Sequence, residues 1–307
     1  MGFFDKFRRK KQSTEPTPPQ RTEQESGQKS ADSAKVNSNP TAYGYAAANA
    51  PEPPVAVQQP NLPEPASLLL GFVLLDRAEF PAEQIIANMR EEWGIQIEGL
   101  EPDDNMVFQL ADMQVALAYM PGPIPDREVE ETCKYNILWP EGEQVVSTHQ
   151  AHVIVTVMGV TDPLLGHALF TQLAASVLQL EHAIAYYAPP MVVSAQNYVE
   201  GAQMLKEQEL PVQLWVFLGM YTNEDRTGNC SYTVGLKNFG KDEMEIIDSK
   251  QDLGDVFELM LNITTYVVGS NVVLSDGETL GYSAEHKLPL VRSKGVAVEG
   301  DSIKIGY

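Results

Sequence analysis

The chain has 307 residues, with 21 Lys and Arg against 42 Asp and Glu, and a formal net charge of −21 at pH 7. Residues 1–67 hold 8 basic and 7 acidic residues, so residues 68–307 hold 21 − 8 = 13 basic and 42 − 7 = 35 acidic ones, a balance of −22. This charge argues against direct binding of nucleic acid or anionic lipid by the folded body, because like charges would be brought together.

Residues 1–67 are predicted to be a disordered arm. Most of this stretch is rich in Pro, Gln, Ser, Thr and Asn and has few large aliphatic side chains. Such a composition buries too little apolar surface to offset the entropy of ordering the chain. We therefore place the start of the folded body at residue 68.

The first eleven residues form a basic and aromatic segment within this arm. They contain five Lys and Arg against one Asp. The defining residues are Phe3, Phe4 and Phe7 and the cations between Lys6 and Lys11. Aromatic burial and attraction to anions predict at most transient docking of this segment on an anionic membrane or in an acidic groove. The alternative is a plain solvated tether.

Cysteine usage and hydropathy indicate a reducing compartment. Cys133 and Cys230 are the two cysteines, and no Cys/His spacing typical of a metal site accompanies them. The basic start is not followed by the apolar stretch of a secretory signal, and no apolar run is long enough to cross a membrane. We expect a cytoplasmic protein without a metal or other cofactor.

The first part of the folded body is predicted to contain one strand, a helix and further strands. Leu68–Leu75 is typical of a strand buried on both faces, and Ala82–Trp93 of an amphipathic helix that ends at Gly94. Periodicity then predicts strands over 95–100, 106–110 and 113–119, of which the last two pair. Asp126 is placed to cap a short acidic helix.

A second strand and helix follow in the same order. The pattern predicts a strand over 152–158, and Asp162 before Pro163 marks the start of a long apolar helix that ends near residue 180. A strand over 183–187 and a helix over 194–208 come next. The recurrence favours a duplicated βαββ unit, as in one half of a ferredoxin-like fold. Chance repetition of a common strand–Pro–helix order is the alternative.

The last hundred residues are predicted to be strand-rich. The elements are a buried strand over 212–221, its partner over 230–236, a half-exposed strand over 243–248, a helix over 253–268, and strands over 280–282, 288–292, 295–298 and 302–305, the last two forming a hairpin. Helices and strands mix without strict βα alternation, which favours an α+β fold with mixed or antiparallel sheets. We divide the chain into the arm 1–67, a subdomain over 68–208 and a subdomain over 209–307.

Two segments carry a family resemblance. They are TVGLKNFGKDEMEI at residues 233–246 and GYSAEHKLPLVRSKGVAVEGDSIKIGY at residues 281–307. Together they resemble the C-terminal domain of a bacterial family known only as a domain of unknown function. The resemblance implies a bacterial, cytosolic protein, and it implies no catalytic residues.

No catalytic residue is predicted, because the chain lacks a nucleophile elbow, a P-loop, a dinucleotide fingerprint and an HExxH motif. Glu243 and Glu245 share one face of a predicted strand. They are either two acids in a cleft or the wet face of an edge strand. His286 is a candidate binding residue in the family-like segment, which a surface turn explains equally well. The histidines that remain, His149, His152, His167 and His182, are expected to be structural.

Tyr186 and Tyr187 precede Pro189 and Pro190 and could line a groove for a partner peptide. Because the sequence contains no recognisable set of catalytic residues, it predicts a non-enzymatic acidic module that binds a basic protein partner, as an adaptor or a toxin-neutralising protein. One alternative is an enzyme with a site around Glu243, Glu245 and His286. Another is an acidic inhibitor that mimics nucleic acid.

Overall fold

The computed structural model describes residues 62–134, 136–281 and 287–307. These ranges contain six α-helices and twelve strands, and the strands form two six-stranded sheets. This architecture confirms the α+β class. The prediction of a disordered arm concerns residues 1–67, of which 1–61 lie outside the described residues. The last part of that stretch is in contact with the body, since the N–H of Ala66 donates to the carbonyl of Asn238 at 3.2 Å.

The first sheet is antiparallel throughout. Its strands are β1 (Leu68–Leu75), β2 (Asn105–Leu110), β3 (Met113–Met120), β4 (Ala151–Met158), β5 (Ala183–Ala188) and β6 (Met191–Ser194). They lie in the order β2-β3-β4-β1-β5-β6. One face packs against α1 (Ala82–Trp93), α4 (Pro163–Leu178) and α5 (Ala195–Ala202), and the other against α2 (Glu128–Cys133) and α3 (Gly142–Val146).

The two predicted βαββ units exist as an order along the chain, namely β1-α1-β2-β3 and β4-α4-β5-β6. The two units are not arranged alike in the sheet. The first strand of the second unit, β4, pairs with the third strand of the first unit, β3. The first strand of the first unit, β1, pairs instead with the second strand of the second unit, β5. The four inner strands, β3-β4-β1-β5, have the strand order of a ferredoxin-like fold, and β2 and β6 extend it at its two edges.

Local signals explain where the two main helices of this sheet begin and end. Gly94 ends α1 in a left-handed conformation at φ 68°, which glycine adopts without a Cβ penalty. The Asp162 side chain accepts from the amides of Leu164 and Leu165 at the start of α4. The buried side chains of α4 run round its whole circumference, so this helix lies at the centre of the molecule.

The second sheet is mixed. Its strands are β7 (Phe217–Thr222), β8 (Asn229–Val234), β9 (Glu243–Ser249), β10 (Thr279–Gly281), β11 (Lys287–Lys294) and β12 (Asp301–Ile305). They lie in the order β10-β11-β12-β9-β8-β7, in which β9 and β12 are parallel and the other pairs antiparallel. Helix α6 (Leu253–Gly269) covers one face and buries Val256, Met260 and Ile263 there.

The two sheets share an interface around α4. His167 of α4 stacks on Phe239 with ring centroids 4.3 Å apart. The indole N–H of Trp215 donates to the hydroxyl of Thr171 at 2.8 Å, and Thr171 is fully buried. All strands of the first sheet end by residue 194, and all strands of the second begin after residue 216. The two sheets are thus separate along the chain, but side chains of α4 pack against residues of the second half.

Several predicted elements of the first sheet differ in the structure. Residues 95–100 form no strand; Ile95 and Ile97 instead pack against the first core as irregular chain, and Gly99 turns the backbone at φ 72°. Asp126 does not cap α2: it and Arg127 both have positive φ, and the helix begins at Glu128 with no side-chain cap.

The second sheet also departs from the predicted elements. Residues 212–214 form a 3₁₀ turn after Pro211, so β7 begins only at Phe217. Residues 295–300 form the loop between β11 and β12 rather than a strand, because the amide of Gly295 bonds the carbonyl of Gly300 across that loop. The predicted hairpin is therefore β11 with β12. Strand β9 is an interior strand and is buried, not half-exposed.

Candidate functional site

The candidate site lies on the face of the second sheet that points away from α6, which we call the outer face. Tyr232 of β8, Glu245 of β9 and Lys304 of β12 occupy paired positions in three neighbouring strands. Directly paired residues project to the same side of a sheet. Met244 and Ile246 alternate with these positions and pack in the core under α6. The outer face is thus polar over β9 and β12 and aromatic over β7 and β8.

Glu245 anchors the loop 295–300 to the polar half. Its side chain is fully buried. It accepts hydrogen bonds from the amides of Val296 and Ala297, at 3.1 and 2.6 Å, and from the Ser302 hydroxyl. The Lys304 ammonium lies 2.7 Å from the same carboxylate. Burial acts to raise the pKa of Glu245, but these four donors together outweigh it, and the pKa lies below its ordinary value.

Glu243, two residues earlier, anchors a different loop. Its carboxylate accepts from the Thr233 hydroxyl at 2.7 Å and from the amides of Gly235, Leu236 and Lys237 at 2.9 to 3.3 Å. It therefore caps the 3₁₀ turn Leu236–Phe239. Both glutamates are saturated with donors from the chain itself. They lie on a buried interior strand, which differs from both the cleft and the wet edge strand considered from the sequence.

Three aromatic rings cover the other half of the outer face. Tyr232 lies between Phe217 and Tyr221, with ring centroids 6.1 and 6.2 Å away. The Tyr232 ring rests on Gly219, where an added Cβ would lie 2.2 Å from the ring. Glycine at this position is what lets the ring lie flat against β7.

A groove of about 280 Å³ runs along these rings. The segment 136–138, in which Ile137 and Leu138 are 53% and 63% exposed, and Ala297 also line it. Burial raises the pKa of Tyr221 to about 12, and the nearby Cys230 and Glu245 act in the same direction.

The groove is lined by a strand with one unpaired edge. β7 is the last strand of the sheet order, so its second edge has no strand beside it in the described part of the chain. The loop that follows β7 carries exposed acidic residues, Glu224 and Asp225. An unpaired edge, a groove lined by aromatic and aliphatic side chains, and negative charge thus lie near one another.

The four described histidines have structural hydrogen-bond partners. His149 and His152 bond the carbonyls of Val146 and Gly122, and the other two described histidines, His167 and His182, bond those of Pro163 and Glu79. These bonds fit the structural role predicted for them. Burial, followed by the charge of Glu130, raises the pKa of the Cys133 thiol to about 11, so the nucleophilic thiolate is disfavoured.

The structure places the predicted tyrosines inside the molecule. Tyr186 packs against Phe170 and Tyr198 on the helix side of the first sheet. Tyr187 faces the opposite side and donates to the Glu128 carboxylate at 2.7 Å. Both are more than 95% buried, so neither lines an open groove as the sequence suggested. The prediction for His286 lies outside the described residues.

Sequence reasoning missed the groove itself. The sequence predicts a buried strand over 212–221, which contains Phe217 and Tyr221, and it indicates no role for Ile137 and Leu138. One signal was present: a glycine at position 219 between alternating aromatic residues indicates a close approach to the strand. The lining segment 136–138 lies about eighty positions earlier in the chain, and no local pattern connects it to β7.

A family described as a domain of unknown function, DUF4261, matches residues 232–306. No curated protein and no solved structure matches the chain. The matched region spans residues 233–246 and 281–306, and it includes the loops that Glu243 and Glu245 hold. Of the groove, Tyr232 and Ala297 lie inside the matched region, whereas β7 and residues 136–138 lie outside it.

Two general findings concern the described ranges. No three or more His, Cys, Asp or Glu residues there are arranged to hold a metal ion. Among the helices of those ranges, none has the length and apolar composition needed to cross a membrane.

Proposed function

We propose that this protein is a non-enzymatic binding module of the bacterial cytoplasm that takes an extended basic segment of a partner protein along β7, with the side chains of that segment in the aromatic groove. The observation that carries the proposal is the position of the groove directly beside an unpaired sheet edge. An adaptor or a toxin-neutralising protein is the kind of molecule that uses such a site.

Strand addition explains how the site would bind. An edge strand presents unpaired N–H and C=O groups, and an extended peptide satisfies them as a new strand. Alternate side chains of the added strand then point to the outer face. There they meet Phe217, Tyr232 and Tyr221. Aliphatic and aromatic groups gain burial against these rings, and Arg gains cation–π contacts.

Charge supplies the preference for a basic segment. Residues 68–307 carry 13 basic and 35 acidic residues, and Glu224 and Asp225 lie exposed immediately after β7. A field of this sign attracts a cationic partner and repels an anionic one. Salt should therefore weaken binding without abolishing it, since the apolar contacts in the groove are not screened.

The alternative enzyme around Glu243, Glu245 and His286 gains no support from the geometry. A general acid or base must reach a substrate. The two carboxylates are buried and directed to loop amides and to Lys304. The nucleic-acid mimic remains an outcome of the test below, because it requires charge but no groove.

The test measures binding of a labelled peptide of alternating Arg and Phe to the full chain by fluorescence anisotropy. Ile137→Ser/Leu138→Ser removes exposed apolar surface from the groove, and Val107→Ser/Val291→Ser removes similar surface from strands elsewhere. Half-burial of two aliphatic side chains contributes about 2 kcal/mol, so the groove variant should bind about 30-fold more weakly. The control variant should bind as the wild type does.

Two outcomes would overturn the proposal. The first is no measurable binding of the peptide by the wild type at low salt. The second is equal binding by the groove variant and the wild type, with binding lost at physiological salt. That second result would assign recognition to charge alone, as in a nucleic-acid mimic.

A further inference from the structure

We infer that the first eleven residues of this chain occupy the aromatic groove in cis and compete with the partner segment. This inference rests on the proposed function and adds its regulation. The ligand proposed for the groove is basic, aromatic and extended, and residues 1–11 supply Phe3, Phe4 and Phe7 together with five Lys and Arg. The chain therefore carries a ligand of the chemistry that its own groove selects.

The spacing of the rings fits an added strand. Phe3 and Phe7 are four residues apart, as Phe217 and Tyr221 are in β7. In extended chain such residues project to one side and stand about 13 Å apart. An antiparallel strand can thus set Phe7 opposite Phe217 and Phe3 opposite Tyr221.

Charge favours this occupant over a second copy of the body. Residues 1–11 carry five basic residues and one acidic residue, a balance of +4, whereas residues 68–307 carry −22. Two bodies meeting edge to edge would bring two strongly negative surfaces together. The basic segment instead brings positive charge to the acidic body, in which Glu224 and Asp225 lie exposed just after β7.

The connection is long enough to reach. The described chain starts at Leu62, beside Lys241 of the second sheet's unit. Fifty residues separate it from Lys11. A chain of the predicted tether composition spans about 40 Å on average, which compares with a radius of gyration of about 18 Å for a body of this size. The segment is then present at the groove at an effective concentration of about 1 mM.

The test uses the full chain and a labelled peptide MGFFDKFRRKK as the probe. Phe3→Ser/Phe4→Ser/Phe7→Ser removes the tethered competitor, and Tyr43→Ser/Tyr45→Ser removes two rings from the same arm as a control. With an effective concentration of about 1 mM and a Kd on the order of 0.1 mM for the segment, the triple variant should bind the probe about 10-fold more tightly than the wild type. The control variant should match the wild type.

The possible results separate the two proposals. Equal, measurable binding of the probe by the wild type and the triple variant overturns cis occupancy and leaves the groove as a binding site. Absence of binding in both, together with no binding of the Arg–Phe peptide, overturns the proposed function and this inference with it. A dimer in sedimentation that the triple variant loses would show occupancy between copies, and so would overturn occupancy in cis.

An anionic membrane is the remaining alternative binding target of residues 1–11. Vesicles of phosphatidylserine and phosphatidylcholine are sedimented with each protein at low and at physiological salt. Wild-type binding at physiological salt that the triple variant loses, with no change in probe affinity, would assign Phe3, Phe4 and Phe7 to a membrane and overturn the inference.

Discussion

Replacing Glu245 with Gln removes the buried charge that holds the loop 295–300 on the outer face. In the wild type, one carboxylate serves the amides of Val296 and Ala297, the Ser302 hydroxyl and the Lys304 ammonium. An amide of the same size has only one accepting oxygen. Either the loop amides or Lys304 must then lose their acceptor, since the NH₂ group cannot take a hydrogen bond from another donor.

The expected cost is about 3 kcal/mol of the free energy of unfolding. This value is the low end of the range for removing one partner of a buried pair. We choose the low end because the Lys304 side chain is 19% exposed and also donates to the carbonyl of Lys294. For a folded body of this size the midpoint of thermal unfolding should fall by about 6–12 °C.

The assay is urea unfolding followed by circular dichroism, together with hydrogen exchange of the two loop amides. Glu299→Gln changes an exposed carboxylate in the same loop and serves as the control; it should stay within about 0.5 kcal/mol of the wild type. Adding Lys304→Met to Glu245→Gln should recover part of the loss, because the unpaired cation is removed. A loss below about 1 kcal/mol with unchanged amide exchange would refute the anchoring argument.

Acid should act on the same contact. Because the pKa of Glu245 is lowered in the folded state, its contribution is fully present above the unfolded pKa of about 4.3 and is lost as pH falls through the folded pKa. The wild type should therefore lose more stability than Glu245→Gln between about pH 5 and pH 3. Equal acid sensitivity of the two proteins would contradict the lowered pKa.

Three further substitutions test other contacts. Gly235→Ala should cost more than about 2 kcal/mol, because φ is +123° and the new Cβ would lie 2.8 Å from the Trp215 carbonyl; urea unfolding measures it. Burial lowers the pKa of His167 to about 4, so protonation of this residue in the unfolded chain should cost the wild type about 1.4 kcal/mol between pH 8 and pH 5.5. His167→Phe should remove that contribution and leave the smaller one of His152, whose pKa burial also lowers. Thr171→Val should cost about 1–3 kcal/mol by leaving the Trp215 indole N–H unpaired, with altered tryptophan fluorescence.

The sequence predicted the elements that local signals define. Gly94 ended α1 and Asp162 with Pro163 began α4, as observed. The hairpin of β2 and β3 followed from its alternating pattern. Caps, turns and periodicity depend on residues a few positions apart, so one chain suffices to see them.

Tertiary structure decided the places of the strands and therefore the exposure of their side chains. Glu243 and Glu245 alternate with Met244 as on a half-exposed strand, yet β9 lies inside the sheet and two loops cover its outer face. Burial depends on which strands and loops come to lie beside a segment, and alternation alone cannot report that.

Composition by itself determined the negative charge of the body and the basic, aromatic character of the first eleven residues. The groove to which these two features relate could be identified only from the tertiary structure. Its walls come from residues 136–138, from β7 and β8, and from Ala297, which only the packing of the two sheets brings together. Whether β7 is an edge is likewise a property of the sheet order, since an edge and an interior strand are built from the same apolar and aromatic residues.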